Sequence, residues 1–147
     1  MHPAITLAAP EDIEEILALQ LLAFHREGEL YSDFSIPPLT QTLDQIRADF
    51  PRKLFLKATV AGRLAGSVRG SQHGATCLVE RLMVHPDHQR QGIGAALLHA
   101  LEDRFPTAHR FELFTGHKSE DNIRLYQKLG YAEFHREGIL VSMAKTR

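Results

Sequence analysis

The chain has 147 residues, 44% of them hydrophobic, which suffices for one core and is too short for two ordinary domains, so residues 1–147 read as a single domain. Seventeen Lys and Arg against eighteen Asp and Glu give a net charge of −1, a balance that favours neither nucleic acid nor an anionic membrane as partner. The single cysteine, Cys77, excludes an internal disulfide framework, the first residues lack a signal-peptide pattern, and no apolar run approaches the ~18 residues that span a bilayer. A soluble, cytoplasmic protein is expected.

Ile5-Thr6-Leu7 reads as a short strand, and Pro10-Glu11-Asp12 places a proline and two acids where the first turn of a helix accepts them. In that helix Ile13, Ile16, Leu17, Gln20, Leu21 and Phe24 keep to one face, with Glu11, Glu14 and Glu15 opposite. From His25 to Leu39 the periodicity fails while Gly28, Ser32, Asp33, Ser35, Pro37 and Pro38 accumulate, so this stretch reads as an irregular, substrate-facing connection. Thr40 to Phe50 spaces Leu43, Ile46 and Phe50 as a second helix, ended by Pro51. At Lys53 the period becomes two: Leu54, Leu56, Ala58 and Val60 alternate through a strand that turns at Ala61-Gly62 and returns over Leu64 to Ser71.

After a turn at Gln72-His73-Gly74, the run from Ala75 to Val84 is apolar enough for a central strand, with Leu78, Glu80, Leu82 and Val84 expected on one side. Ile93, Leu97, Leu98, Leu101 and Phe105 form the stripe of a helix that Pro106 ends. Arg110 to Thr115 is a further strand, and Ser119 is placed to cap a helix that carries Glu120 and Asp121 in its first turn and Gly130 past its end. Tyr131 to Met143 gives two closing strands about Glu137-Gly138. The order β-α-α-β-β-β-α-β-α-β-β predicts an α/β fold of mixed α+β topology, a mixed and mostly antiparallel sheet with helices on both faces.

The segment Val84-His85-Pro86-Asp87-His88-Gln89-Arg90-Gln91-Gly92-Ile93-Gly94 lies between a buried strand and an amphipathic helix, where free helix N–H groups and glycine suit a phosphate. It is not a Walker loop, because no Gly-Lys-Ser/Thr follows, and Leu97 stands where a dinucleotide fingerprint has its third glycine. Alone, a Gly-x-Gly such as Gly92 and Gly94 more often serves only a tight turn into the helix. In context, Gln89-Arg90-Gln91-Gly92-Ile93-Gly94 resembles the Gln/Arg-x-x-Gly-x-Gly/Ala motif of the GNAT superfamily of N-acetyltransferases, and it follows Arg81-Leu82-Met83-Val84-His85-Pro86 as in many members. The resemblance extends to Phe111-Glu112-Leu113-Phe114-Thr115-Gly116, to Asn122 through Tyr131, and to Met143-Ala144-Lys145. It covers residues 55 to 145 well, whereas the first fifty residues match only in element order.

This resemblance implies direct transfer of an acetyl group from acetyl-CoA, as co-substrate, to a primary amine of a small molecule or peptide through a tetrahedral intermediate. It implies that the main chain of Leu82, Met83 and Val84 faces the pantetheine and that the amides of Gln89, Arg90, Gln91, Gly92, Ile93 and Gly94 hold the pyrophosphate. Ser119 stands where the family often has asparagine, and Asn122, one turn before Tyr126, compensates. Tyr126 resembles the family's tyrosine near the sulfur and is the candidate general acid for the departing thiolate; taken alone, a Tyr in such a helix more often packs it on the sheet. Glu80, on an apolar strand, is the candidate base through water, and its competing role is an ion pair with Arg69 or another basic group on a neighbouring strand.

Two positions where some members carry an acid hold Leu78 and Phe114, so deprotonation by bulk water stays open. His85 and His88 lack the further ligands of a metal site, and Cys77 alternates away from Glu80, so neither metal nor a cysteine nucleophile is expected. The acceptor is expected between the loop from His25 to Leu39 and the hairpin from Phe134 to Leu140. A catalytically weak CoA-sensing or interaction module on the same fold is the alternative. The edge strand of the closing hairpin is available for a homodimer.

Overall fold

A computed structural model describes residues 3–147. The alternating segments pair into one seven-stranded sheet in the order β1-β2-β3-β4-β5-β7-β6. The strands are β1 (Ala4–Leu7), β2 (Leu54–Val60), β3 (Arg63–His73), β4 (Thr76–Val84), β5 (Arg110–Gly116), β6 (Ala132–Glu137) and β7 (Leu140–Thr146). All neighbours run antiparallel except β4 and β5, which are parallel because a helix crosses between them. The expected mixed, mostly antiparallel sheet is therefore the one found.

Helices cover both faces. One face carries α1 (Ile13–Tyr31), α2 (Pro37–Thr40) and α3 (Leu43–Asp49), and its core gathers Ile13, Ile16, Leu19, Ile46, Phe55 and Met83. The other carries α4 (Ile93–Asp103) and α5 (Glu120–Lys128), whose apolar stripes close a larger core around Val68, Leu97, Leu98, Leu101, Phe111 and Met143. Burial of these side chains, at about 25 cal/mol per Å² of apolar surface, is the main force holding the layers together.

Three local readings need correction. The stretch from His25 to Leu39 is not wholly irregular: α1 continues to Tyr31 and ends where Ser32 takes a left-handed φ of 49°. Gly28 inside this helix is buried because Phe34 and Leu39 fold back over it; a Cβ there would lie 2.6 Å from the Phe34 ring. The second helix starts at Leu43, after Thr42 and Gln45 form a reciprocal cap, while Pro37–Thr40 makes a separate short turn of helix. β3 runs on to His73, so the expected turn at Gln72-His73-Gly74 narrows to Gly74-Ala75, with Gly74 at φ +63°.

The alternation expected along β4 also breaks. Arg69 faces Glu80 and Ser67 faces Met83, so β3 advances two residues where β4 advances three, and Arg81 takes a left-handed φ of 53°. Across this bulge the faces exchange. Cys77 and Val79 join the α4/α5 core, and so do Leu82 and Val84, while Met83 joins the α1/α3 core. Glu80 therefore does not share a face with Leu82 and Val84.

Candidate active site

The parallel pairing of β4 with β5 involves only Thr76–Arg110, Cys77–Phe111 and Leu78–Glu112. Beyond Leu78 the two strands part, and the backbone groups of β4 that point toward β5 have no strand partner there. Leu82, Met83 and Val84 lie on this free edge. The start of α4 and Leu125 of α5 pack together beside Leu82 and Val84, since a Cβ on Gly94 would meet Leu125 at 3.2 Å, Val84 at 3.8 Å and Leu82 at 3.9 Å.

After β4 a single 3-10 turn, Pro86–His88, leads into the glycine loop. Arg90 at φ 62° and Gly92 at φ 81° turn the chain so that Gly92 forms the N-cap of α4. The Ala96 amide bonds the Gly92 carbonyl at 3.0 Å, one turn inside the helix, and the amides before it face outward. A Cβ on Gly92 would meet nothing within 4 Å, so the space over the helix start is open. Gly94 differs: a Cβ there would press on Leu125 at 3.2 Å, so this glycine serves the close packing of α4 against α5. The row of outward amides, the helix dipole and the open space fit a pyrophosphate.

Tyr126 is 5% exposed and its ring packs against Tyr131, with centroids 6.1 Å apart. Asn122 and Ser119 precede Tyr126 by about one and two turns of α5, on the side toward which helical side chains lean. Burial, reinforced by the negative charge of Glu27, holds its ionisation well above the usual tyrosine range. Asn122 is half-buried one turn before it. Ser119 is the N-cap residue of α5, yet its hydroxyl does not cap the helix: it donates to the Glu27 carboxylate of α1, at 2.8 and 2.7 Å from the two oxygens. Glu27 was not marked by the sequence, because it sits in the stretch whose periodicity fails and 92 residues from its partner.

Glu80 lies on the α1/α3 face and pairs with Lys53 at 3.1 Å, and Lys53 also approaches Asp49 at 3.9 Å. The basic neighbour is thus the residue before β2 and not Arg69. Arg69 is 1% exposed, bonded to Gln20 at 2.5 Å and Gln41 at 3.2 Å, and stacked 4.6 Å from the Phe55 ring centre. Burial, then the like charge of Arg81, lowers its pKa to about 10. A cavity of about 480 Å³ opens beside Arg81, lined also by Gln41 and Asp49. Burial pushes the Cys77 thiol up to about 11, away from nucleophilic use. Among the described residues no group of three or more His, Cys, Asp or Glu could hold a metal, and no helix is long and apolar enough to cross a membrane.

A sheet that splays between its parallel central strands, with a glycine loop at the head of the crossover helix, is the architecture of solved N-acetyltransferases. The PaiA N-acetyltransferase of Thermoplasma acidophilum, solved with coenzyme A, superposes with a TM-score of 0.88 over 100% of both chains at 17% identity. The ribosomal-protein-S18-alanine N-acetyltransferase of Escherichia coli gives 0.79 over 99% of this chain and 94% of that one, at 21% identity. The model of the acetyltransferase (GNAT) family matches residues 13–131, and the chain belongs to that family. Among curated relatives, UPF0157 protein YqkA of Bacillus subtilis is 31% identical over 97% of this chain, and an acetyltransferase of Sodalis glossinidius is 35% identical over 53% of it. The chain spans 40% and 56% of the length of these two relatives.

Proposed function

We propose that this domain transfers an acetyl group from acetyl-CoA directly to a primary amine of a small molecule or peptide. The observation that carries the reading is the glycine loop from Gln89 to Gly94, which turns into the N-terminus of α4 with open space over Gly92, just past the edge of β4 that β5 leaves unpaired. In this reading the loop binds the pyrophosphate, and the free edge of Leu82, Met83 and Val84 bonds the pantetheine. The carbonyl to be attacked then lies toward α5, within reach of Tyr126. Asn122 and Ser119 border the sulfur end. Tyr126, kept protonated by burial, donates to the sulfur as charge develops on it. The exposed edge strand β6 offers the pairing that a homodimer would use.

The test is ligand-dependent stabilisation. A ligand present at a hundred times its Kd stabilises the native state by about 2.7 kcal/mol. For a domain of this size that raises Tm by about 5–10 °C. CoA is expected to give such a shift, and ATP or NAD at the same concentration much less; equal shifts for the three would remove the CoA reading.

Glu80 is a candidate base on the acceptor side, but its carboxylate is already engaged by Lys53. Glu80→Gln is therefore expected to lower stability by about 1 kcal/mol or less, since the pair is partly solvated and Asp49 remains beside Lys53. Turnover is expected to stay within a few-fold of the parent. Loss of the acidic limb of the pH–rate profile in this variant would instead make Glu80 the base.

A further inference from the structure

A carboxylate on α1 reaches into the catalytic end of the domain. Glu27 is half-buried, and the Ser119 hydroxyl is the donor that holds it, at 2.8 and 2.7 Å. Lys118, the cation on the adjoining loop, is engaged elsewhere: its ammonium bonds the Leu30 carbonyl at 3.4 Å and lies 5.4 Å from the Tyr31 ring centre. Its amide donates to the Tyr31 hydroxyl at 2.8 Å. A Cβ on Gly116 would lie 2.1 Å from that hydroxyl, so the end of β5 accepts α1 only because it carries no side chain there. These contacts fix the second half of α1 against the β5–α5 turn, at the open end of the splay. A partly buried carboxylate held by one neutral donor retains most of its capacity to accept hydrogen bonds, and among the described residues no cation forms an ion pair with Glu27.

We infer that Glu27 is the acceptor-binding carboxylate of this site: it receives the cationic amine as an ammonium ion beside Tyr126 and takes the proton that the amine must lose. The inference rests on the acetyltransferase reading and adds the substrate's charge state and its anchor. An alkylamine resembles lysine, with a pKa near ~10.4, and arrives protonated at neutral pH. In the step, one N–H bond of the ammonium breaks, the proton goes to a Glu27 oxygen, and the electron pair stays on nitrogen, ready for the thioester carbonyl. Ser119, which holds Glu27, starts the helix that carries Tyr126, and the Glu27 charge acts with burial to raise the ionisation of that tyrosine. The other titratable groups on the elements that meet there are His117 and Lys118 on the turn, Glu120, Asp121 and Arg124 at the start of α5, and His25, Arg26, Glu29 and Tyr31 on the second half of α1, where His25 pairs with Glu29. Of these, Lys118 and Tyr31 are tied to each other and Asp121 pairs with Arg124, whereas Glu27 keeps free acceptor sites.

Glu27→Gln and Ser119→Ala separate this role from a mere tether between α1 and α5. The glutamine keeps an oxygen for the Ser119 hydroxyl, so it preserves the tether and removes the charge; the alanine does the reverse. The full chain is assayed with n-butylamine, 1,4-diaminobutane and a peptide with a free N-terminus, by CoA release. Glu27→Gln is expected to lower kcat/KM about 100-fold or more at neutral pH, with the gap closing as pH approaches the amine's own pKa. Ser119→Ala should lose several-fold only, and Glu27→Gln should keep the parent's CoA affinity.

A second readout, the binding of n-butylammonium to the CoA complex by NMR, does not need turnover. If no amine is acetylated by the parent, the acetyltransferase reading fails and the proton-transfer role with it, while the role of Glu27 as anchor for the cationic amine is still decided by binding. Binding lost in Glu27→Gln and kept in Ser119→Ala supports it. Binding equal in the parent and Glu27→Gln, or absent from the parent, overturns it.

Discussion

Gly92→Asp is expected to weaken CoA binding about 100-fold or more while leaving the unliganded domain folded. Gly92 caps α4 with φ at +81°, and a Cβ there meets no atom within 4 Å. The aspartate side chain thus enters the open space over the outward amides and puts a negative charge where the pyrophosphate would sit. Like charges brought together in a binding site cost several kcal/mol, and each 1.4 kcal/mol is about tenfold in Kd. A non-glycine residue in the left-handed region costs roughly 1–2 kcal/mol of stability, which is the whole expected effect on the free protein.

Gly92→Ala is the control, because it carries the same backbone cost without the charge. Calorimetry should show the alanine variant binding CoA within about tenfold of the parent and the aspartate variant far weaker. If the two variants bind CoA equally well, charge at this loop does not matter and the phosphate lies elsewhere. Gly94 is unsuited to the same test. Its missing Cβ makes room for Leu125, so any substitution there loosens α4 from α5 and mixes packing with binding.

Much of the architecture was legible because it is written in short-range patterns. The alternation over residues 54–60, the stripe of Ile93, Leu97, Leu98 and Leu101, and the stops at Pro51, Pro106 and Gly130 placed most elements, and both faces of the sheet are covered as expected. The parts that were missed depend on contacts between distant residues. The bulge at Arg81 is carried by an arginine in a left-handed conformation that has no sequence signature, and it moved Glu80 off the face of Leu82 and Val84. The second half of α1 looked irregular because Gly28 is packed under Phe34 and because Tyr31 is held by a turn almost ninety residues away. The same reason hid Glu27. A serine before two acids reads as a helix cap, and only the packing of α1 on α5 turns its hydroxyl to a carboxylate instead.

Tyr126→Phe is expected to lower kcat about 100-fold without unfolding the protein, at the low end of the ~10²–10⁴ range for a positioned acid because a thiolate is a good leaving group. The phenylalanine keeps the ring that packs on Tyr131, so the melting temperature should move little. Acetyl-CoA affinity should be close to the parent's, since one hydroxyl is a small part of a contact that includes pantetheine and pyrophosphate, and the loss should therefore fall on kcat. Burial and the charge of Glu27 disfavour the phenolate, so the proton-bearing form of Tyr126 persists to higher pH than in a free tyrosine. The sign of the pH effect follows: the parent's kcat should show no alkaline fall from this group up to about pH 10, the ordinary tyrosine value. Glu27→Gln removes one of the two causes and should bring that fall to lower pH than in the parent. A folded Tyr126→Phe variant that turns over at the parent rate, with chemistry rate-limiting, would leave Tyr126 with a packing role alone.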